Sequence, residues 1–280
     1  MGMDWSRPQT AAQGRNIDTA DVIALLREVY ADGIVTREEA EELIAFDHSL
    51  GESAVGWTEF FAPTIADHIV QRREPAGIVS DEKATWLIRA LSRGRRVATE
   101  GGFGAIMRAL ETAREVSPLL VAYAIGQVRF AVVAGSGPAI GARKHFSRTI
   151  DAADAALLER ILELSGGAST RPVSRLEVDA LFDLHDAVAS GRNDAHFDDL
   201  VFATIANHLL ASVGMSPTSR LAPPAFTHAV LLGAEESAWL SSRIMRDGRP
   251  TTAEFLLLQA FANGPNSIDP SQRRFLDRAA

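Results

Sequence analysis

The chain of 280 residues contains no cysteine. That absence excludes a disulfide framework, a thiolate zinc site and a cysteine nucleophile. Basic residues are also few, at 28 lysines and arginines against 36 aspartates and glutamates, and the net charge of -8 argues against a broad phosphate-binding surface. With 46% hydrophobic residues the chain is too apolar to be disordered, and it is long enough for one large core or two ordinary ones.

Signals for export and for membrane insertion are also lacking. Residues 1–14 are polar and have no apolar core like that of a secretory signal. Met1–Ser6 fits the permissive N-myristoylation pattern, which we interpret as chance because the chain carries no other eukaryotic mark. The longest apolar run, Leu119–Ala134, contains Gln127 and Arg129 and is shorter than the roughly 20 residues that a membrane span needs. We therefore predict a buried helix there and a cytoplasmic protein.

Apolar residues recur with helical spacing almost throughout, and strand-like alternation is nearly absent. Glycine and proline separate the apolar segments, as expected between helices. This pattern predicts an all-α fold in which eight aromatic side chains are largely buried. They are Trp57, Phe60, Phe61, Trp86, Phe182, Phe197, Trp239 and Phe255.

An internal repeat is the most informative feature of the sequence. Three segments recur in the same order, which argues against chance and predicts a tandem duplication of a helical bundle. We expect a flexible tail over residues 1–16, a first repeat domain over 17–150 and a second over 151–280. The aligned segments are Val35–Phe46 with Val173–Leu184, Trp57–Val70 with Phe197–Leu210, and Trp86–Glu100 with Trp239–Glu254.

Acidic residues recur at the starts of the repeated helices. Asp32-Gly33, followed by Val35 and Glu39, resembles the second half of an EF-hand calcium loop, although the ligands of the first half are missing. Helix capping explains the same glutamates, because a hydroxyl and a glutamate three residues apart form a capping box. We favour capping and keep calcium binding as an alternative. The predicted boxes are Thr36-x-x-Glu39, Ser174-x-x-Glu177 and Thr251-x-x-Glu254.

The pattern D-G-x-V-T-x-x-E-A-x-x-L at Asp32–Leu43, opening a helix in an all-helical unit, resembles tellurite-resistance-B-like (TerB-like) domains. Two tandem copies would cover nearly the whole chain. The resemblance implies a compact helical domain with acidic, metal-associated residues, linked to stress-response or membrane-associated complexes. In the second half the pattern survives only as Val173–Glu177, without an Asp-Gly pair.

Histidines also recur in the repeat. His68 and His208 occupy equivalent places on the apolar stripes of their helices, and two upstream pairs correspond in swapped order, Asp47-His48 and His185-Asp186. Such residues on adjacent helices could build a metal site, although the Glu-x-x-His and HExxH motifs are absent. We favour packing in the core and keep six metal candidates: Asp32, Glu39, Asp47, His68, His185 and His208.

Two further segments imitate functional motifs. Val128–Lys144 looks like a strand and a dinucleotide-binding loop, but its glycines have the wrong spacing and no βαβ unit surrounds it. The basic run Arg93–Arg96 is short, and we predict a solvated turn there. We therefore expect no nucleic-acid partner.

Three functions remain open, and none of them has a predicted catalytic residue. The leading hypothesis is a non-enzymatic helical module that binds a protein partner or regulates a complex, with a homodimer as an alternative arrangement. The second is a divalent-metal-binding or metal-stress protein of the TerB-like kind, in which a divalent cation is the sole cofactor. The third is an enzyme with a His/Asp site between the halves, built on His68 and His208.

Overall fold

The computed structural model describes residues 27, 35–50, 56–143, 147–165, 171–215, 221–222, 224, 230–246 and 250–262. The predicted tail over residues 1–16 and the Asp32-Gly33 turn lie outside these ranges. The described residues are mostly helical, as the apolar spacing predicts. Their ten α-helices are α1 (Arg37–Ser49), α2 (Trp57–Asp67), α3 (Asp81–Leu91), α4 (Glu100–Thr112), α5 (Pro118–Ala134), α6 (Ala152–Ser165), α7 (Arg175–Val188), α8 (Ala195–Ser212), α9 (Ala234–Ile244) and α10 (Thr252–Ala262).

Strands are confined to two-residue pairs within the described residues. β1 (Ile78–Val79) pairs in parallel with β4 (Glu115–Val116). The other two pairs are antiparallel: β2 (Ser92–Arg93) with β3 (Arg96–Val97), and β5 (Ser136–Gly137) with β6 (Gly141–Ala142). A π-helical turn over His68–Arg72 continues α2.

The three predicted capping boxes are present. The backbone N–H of the cap residue donates to the glutamate three positions on, at 2.8 Å for Thr36 and Glu39 and at 2.6 Å for Ser174 and Glu177. Thr251 N and Glu254 Oε2 are also 2.8 Å apart. In return each hydroxyl accepts from the glutamate N–H. Capping therefore accounts for the recurring glutamates.

Helix α5 is the central element of the core. It packs against α3, α4 and α6 and runs along α7, which belongs to the second half of the sequence. Leu120, Val121, Ala124, Ile125 and Val128 are all fully buried on it, which confirms the prediction of a buried helix. Across the described residues, no helix is both long and apolar enough to cross a membrane.

The two halves share one hydrophobic core. Buried residues from α1 to α10 form a single cluster, and an ion pair between Arg160 and Glu111 links α6 to α4 at the surface. One pair of helices with aligned sequences packs alike in both halves: α2 lies on α4, and α8 lies on α10.

Five of the eight aromatic side chains predicted to be buried are buried, and three are half-buried. The two half-buried tryptophans keep one edge near the surface, where the indole Nε1–H of Trp86 donates to Glu41 at 3.3 Å and that of Trp239 donates to Asp179 at 3.1 Å. Glu41 is exposed and Asp179 is half-buried, so each indole edge lies beside a carboxylate that reaches solvent. Phe255 is the third half-buried ring, and no contact explains its exposure.

Two helical glycines should respond to alanine in opposite directions. A Cβ at Gly101 would lie 2.7 Å from Asp47 Oδ1 and 3.1 Å from Phe61 Cδ1, whereas a Cβ at Gly126 meets nothing within 4 Å. We expect Gly101→Ala to lower the free energy of unfolding by about 1–3 kcal/mol. Gly126→Ala should raise it by about 0.5–1 kcal/mol. Urea denaturation measures both, and a Gly101→Ala variant as stable as the wild type would contradict the fixed position of Asp47.

Candidate functional site

The two equivalent histidines make the same hydrogen bond. His68 Nδ1 lies 2.9 Å from the carbonyl oxygen of Val35, and His208 Nδ1 lies 2.7 Å from that of Val173. A carbonyl oxygen only accepts, so Nδ1 carries the proton in both rings. Each valine immediately precedes a capping residue, so the first bond ties the π-helical turn after α2 to the start of α1, and the second ties α8 to the start of α7.

A tryptophan covers each of these imidazoles. Ring centroids are 5.6 Å apart for His68 and Trp86, and 5.7 Å apart for His208 and Trp239. An arginine covers the indole in turn: the guanidinium of Arg175 lies 4.0 Å from the Trp239 ring centre, and in the first half Arg37, at the aligned place, lies 6.0 Å from that of Trp86. Both imidazole Nε2 atoms are buried and have no hydrogen-bond partner among the described residues. These contacts favour packing in the core.

Asp47 forms a closed network in the first half. Its side chain is 1% exposed. Oδ1 accepts from Trp57 Nε1 at 2.8 Å, and Oδ2 accepts from the hydroxyl of Thr99. Burial raises the pKa of the Asp47 carboxyl, and the two donors oppose that effect. Both carboxylate oxygens of Asp47 therefore accept a hydrogen bond, and no cation is needed to satisfy them.

The aligned positions of the second half carry different side chains. His185 stands where the first half has Asp47, and Phe197 stands where it has Trp57; the two rings are 5.9 Å apart. A phenyl ring has no donor, so the indole–carboxylate bond of the first half has no counterpart here. His185 instead lies between two carboxylates, with Nδ1 4.0 Å from Glu254 Oε1 and Nε2 4.0 Å from Asp198 Oδ1.

His185, Asp186 and Glu254 form the one group of three potential ligands that the described residues contain. One ligand atom from each lies within 4.8 Å of the other two. His185 and Asp186 belong to the last turn of α7, and Glu254 belongs to the first turn of α10. His185 and Glu254 are each 1% exposed, and Asp186 is half-buried. Glu254 Oε2 serves the capping box, and Oε1 is the atom that faces His185.

Charged residues surround this cluster. Arg246 pairs with Asp186 and, at 2.8 Å, with Asp183. Burial raises the pKa of Asp198; the nearby His185 lowers it, while Asp194 and Asp199 raise it further. The several carboxylates around His185 favour a bound cation, and the guanidinium of Arg246 already balances part of their negative charge.

The donor set suits a first-row divalent metal. Two atoms bound to one ion at about 2.0–2.2 Å lie up to roughly 4.4 Å apart, so the 4.0 Å between His185 and Glu254 is compatible with a shared ion. An imidazole beside carboxylates suits zinc, manganese or iron better than calcium or magnesium, which prefer oxygen ligands alone.

Of the six metal candidates, the structure brings only His185 into this group. Glu39 caps α1, Asp47 is held by Trp57 and Thr99, and His68 and His208 bond to carbonyls; Asp32 lies outside the described residues. The metal role of these five stays a prediction. The sequence predicts Glu254 as a helix-capping residue, because only the fold brings α10 against the end of α7. The swapped order of His185-Asp186 relative to Asp47-His48 was the one sequence feature that could have pointed to this cluster.

Comparison of the chain with models of protein families, with curated proteins and with solved structures finds no match. The resemblance to TerB-like domains therefore stays a prediction. Any functional conclusion has to come from the geometry of the described residues.

Acidification should destabilise the protein partly through His68. Burial lowers the pKa of this imidazole; the Val35 carbonyl opposes the effect and the nearby Arg73 adds to it. The unfolded chain therefore takes up a proton first as the pH falls below about 6.5, so stability is lost on acidification. We expect His68→Asn, which keeps a donor for Val35, to show a shallower loss of unfolding free energy between about pH 7 and 5.

The exposed Thr85 provides the control, because it does not titrate. Thr85→Asn should follow the wild-type dependence of unfolding free energy on pH. Identical slopes for His68→Asn and the wild type would mean that the buried imidazole does not titrate with unfolding.

Proposed function

We propose that the protein is a duplicated helical module that binds a first-row divalent cation in its second half. His185, Asp186 and Glu254 would be its ligands. The observation that carries the proposal is the approach of three ligand atoms to within 4.8 Å, on two side chains that are almost fully buried and one that is half-buried. This function is the second of the three that the sequence leaves open.

Matched contacts support a duplication. The histidine–carbonyl bond, the tryptophan on the imidazole and the arginine on the indole occur in both halves at aligned positions. The indole also donates to an acidic residue at one aligned position, Glu41 in the first half and Asp179 in the second. Two unrelated helical bundles would not be expected to share this set of contacts. We therefore infer that both halves arose by duplication of one ancestral unit.

The contrast between the halves supports the metal. In the first half the buried acid at the aligned position is satisfied by an indole and a hydroxyl. In the second half His185 lies between two carboxylates, with an oxygen of each 4.0 Å from an imidazole nitrogen. The 4.0 Å between His185 and Glu254 leaves room for one ion bound to both side chains, and Asp186 lies close enough to be a third ligand.

Binding of a protein partner is the second candidate function. Among the described residues, the most exposed large hydrophobic side chains all belong to the second half: Leu176, Met215, Leu231 and Leu256. Exposed apolar side chains favour a partner where they form a patch.

The enzyme hypothesis gains no support, because His68 and His208 use Nδ1 for backbone carbonyls.

Zinc and manganese titrations of the purified, metal-stripped protein test the metal proposal. We expect one site per chain and a higher melting temperature with the bound metal. Glu254→Gln should weaken binding at least about tenfold, since even residues behind the ligands are worth that much. Glutamine still completes a capping box, so helix α10 should keep its start.

Glu177→Gln is the matched control. Glu177 is as buried as Glu254 and caps α7, at the opposite end of that helix from His185. It should leave the metal affinity unchanged. Arg246→Gln should act in the other direction and tighten binding about tenfold, because it removes a positive charge that pairs with Asp186. Absence of binding in the wild type, or equal affinity in the Glu254 and Glu177 variants, would refute the site.

A further inference from the structure

A cleft of about 710 Å³ lies between the β2–β3 hairpin and one face of α5. Four arginines line it, Arg93, Arg95, Arg96 and Arg129, and its lining contains no carboxylate. The chain as a whole has more acidic than basic residues. The concentration of positive charge in this cleft is therefore a local feature that the composition does not account for.

Most of this positive charge is uncompensated. Arg93 is held in place, because its guanidinium donates to the carbonyl of His48 at 2.6 Å. Arg96 and Arg129 each place the guanidinium carbon 5.0 Å from the centre of the Phe130 ring. Within the part of the chain that the structure describes, Arg95, Arg96 and Arg129 have no ion-pair partner. An anion bound in the cleft would therefore be attracted by several guanidinium groups.

The hairpin that carries these arginines is fixed to α5. Gln127 is 4% exposed, and its Oε1 accepts from Val97 N at 2.9 Å while its Nε2 donates to the carbonyl of Arg95. Gly94 turns the hairpin with a φ of 69°, which favours glycine. A buried glutamine therefore fixes the backbone of the hairpin against α5, the helix that carries Arg129.

Neutral side chains and open space complete the cleft. The hydroxyls of Ser92 and Tyr123 lie 2.6 Å apart at its wall. Ser92 donates its proton to the carbonyl of Ile88, so Tyr123 donates to Ser92, and burial raises the pKa of the Tyr123 phenol, which stays neutral. Gly126 also lines the cleft, and the space where its side chain would stand is empty. The volume falls within the range of roughly 300–1,000 Å³ that small-molecule sites occupy.

We propose that this cleft binds a small molecule or headgroup with two or more adjacent phosphate groups. Arginine forks bind phosphate oxygens in pairs, and several arginines without carboxylates select a ligand of high negative charge. The position of the cleft between one hairpin and one face of a helix favours a small ligand, and the overall negative charge of the chain argues against a nucleic-acid backbone. The site is separate from the metal cluster of the second half.

Isothermal titration with inorganic pyrophosphate at constant ionic strength tests the proposal. We expect a one-site isotherm for the wild type and at least about tenfold weaker binding for the double variant Arg96→Gln/Arg129→Gln. The matched control is Arg89→Gln/Arg148→Gln, which makes the same change of net charge at two exposed arginines outside the cleft. The control should bind like the wild type.

A second variant blocks the cleft without changing its charge. Gly126→Met places a side chain into the empty space and should also abolish pyrophosphate binding, with circular dichroism as the check on folding. No heat with the wild type would overturn the proposal. Equal losses in the cleft and control double variants would also overturn it, because they would reduce the effect to net charge.

Vesicles separate the two sources of such a ligand. Phosphatidylcholine vesicles with and without a phosphoinositide bisphosphate are sedimented with the wild type and the Arg96→Gln/Arg129→Gln variant. Co-sedimentation that depends on both the phosphoinositide and the two arginines supports a lipid headgroup in the cleft. Pyrophosphate binding without co-sedimentation supports a soluble phosphorylated molecule.

Discussion

A hydrogen bond from an imidazole to the carbonyl before a helix cap ties separate helical segments together in each half of this protein. In the first half, His68 joins the end of α2 to Val35, Trp86 of α3 packs on the imidazole, and the indole of Trp86 donates to Glu41 on α1. These contacts form a closed ring through three helices. Because the ring recurs in the second half through His208, Trp239 and Asp179, both halves present their remaining side chains on the same frame.

That frame holds two polar clusters of different chemistry. Burial of a charge is costly unless each polar atom finds a partner. The first half meets this requirement with Trp57 and Thr99 around Asp47, and Gly101 leaves the carboxylate the space it occupies. The second half has an imidazole and carboxylates in the aligned place, and these are the ligands that we propose for a divalent cation.

Local patterns predicted much of this structure. The helices follow from apolar spacing, the caps from hydroxyl–glutamate pairs three residues apart, and the burial of α5 from its uniform apolarity. The equivalence of His68 and His208 was also visible, because both stand in aligned segments. The helices, the caps and the burial of α5 each depend on residues within a few turns of one another in the sequence.

Contacts between distant segments could not be predicted in this way. The neighbouring sequence predicts that Glu254 is a capping residue. Only the packing of α10 against α8 and the end of α7 brings its side chain close to His185. The basic run Arg93–Arg96 is exposed, as predicted for a solvated turn. The phosphate-binding role that we propose for these arginines depends on Gln127. This residue lies on α5, about 30 residues further on, and hydrogen-bonds to the backbone of the hairpin. The half-burial of Trp86 likewise depends on Glu41, a partner on another helix.

X-ray diffraction from crystals grown with zinc, recorded on both sides of the zinc absorption edge, tests the metal site most directly. We expect an anomalous peak at about 2.0–2.2 Å from His185, Asp186 and Glu254, at the end of α7. We expect no such peak at Asp47, the aligned place of the first half. A zinc-containing crystal with no anomalous density between His185 and Glu254 would contradict the proposed function.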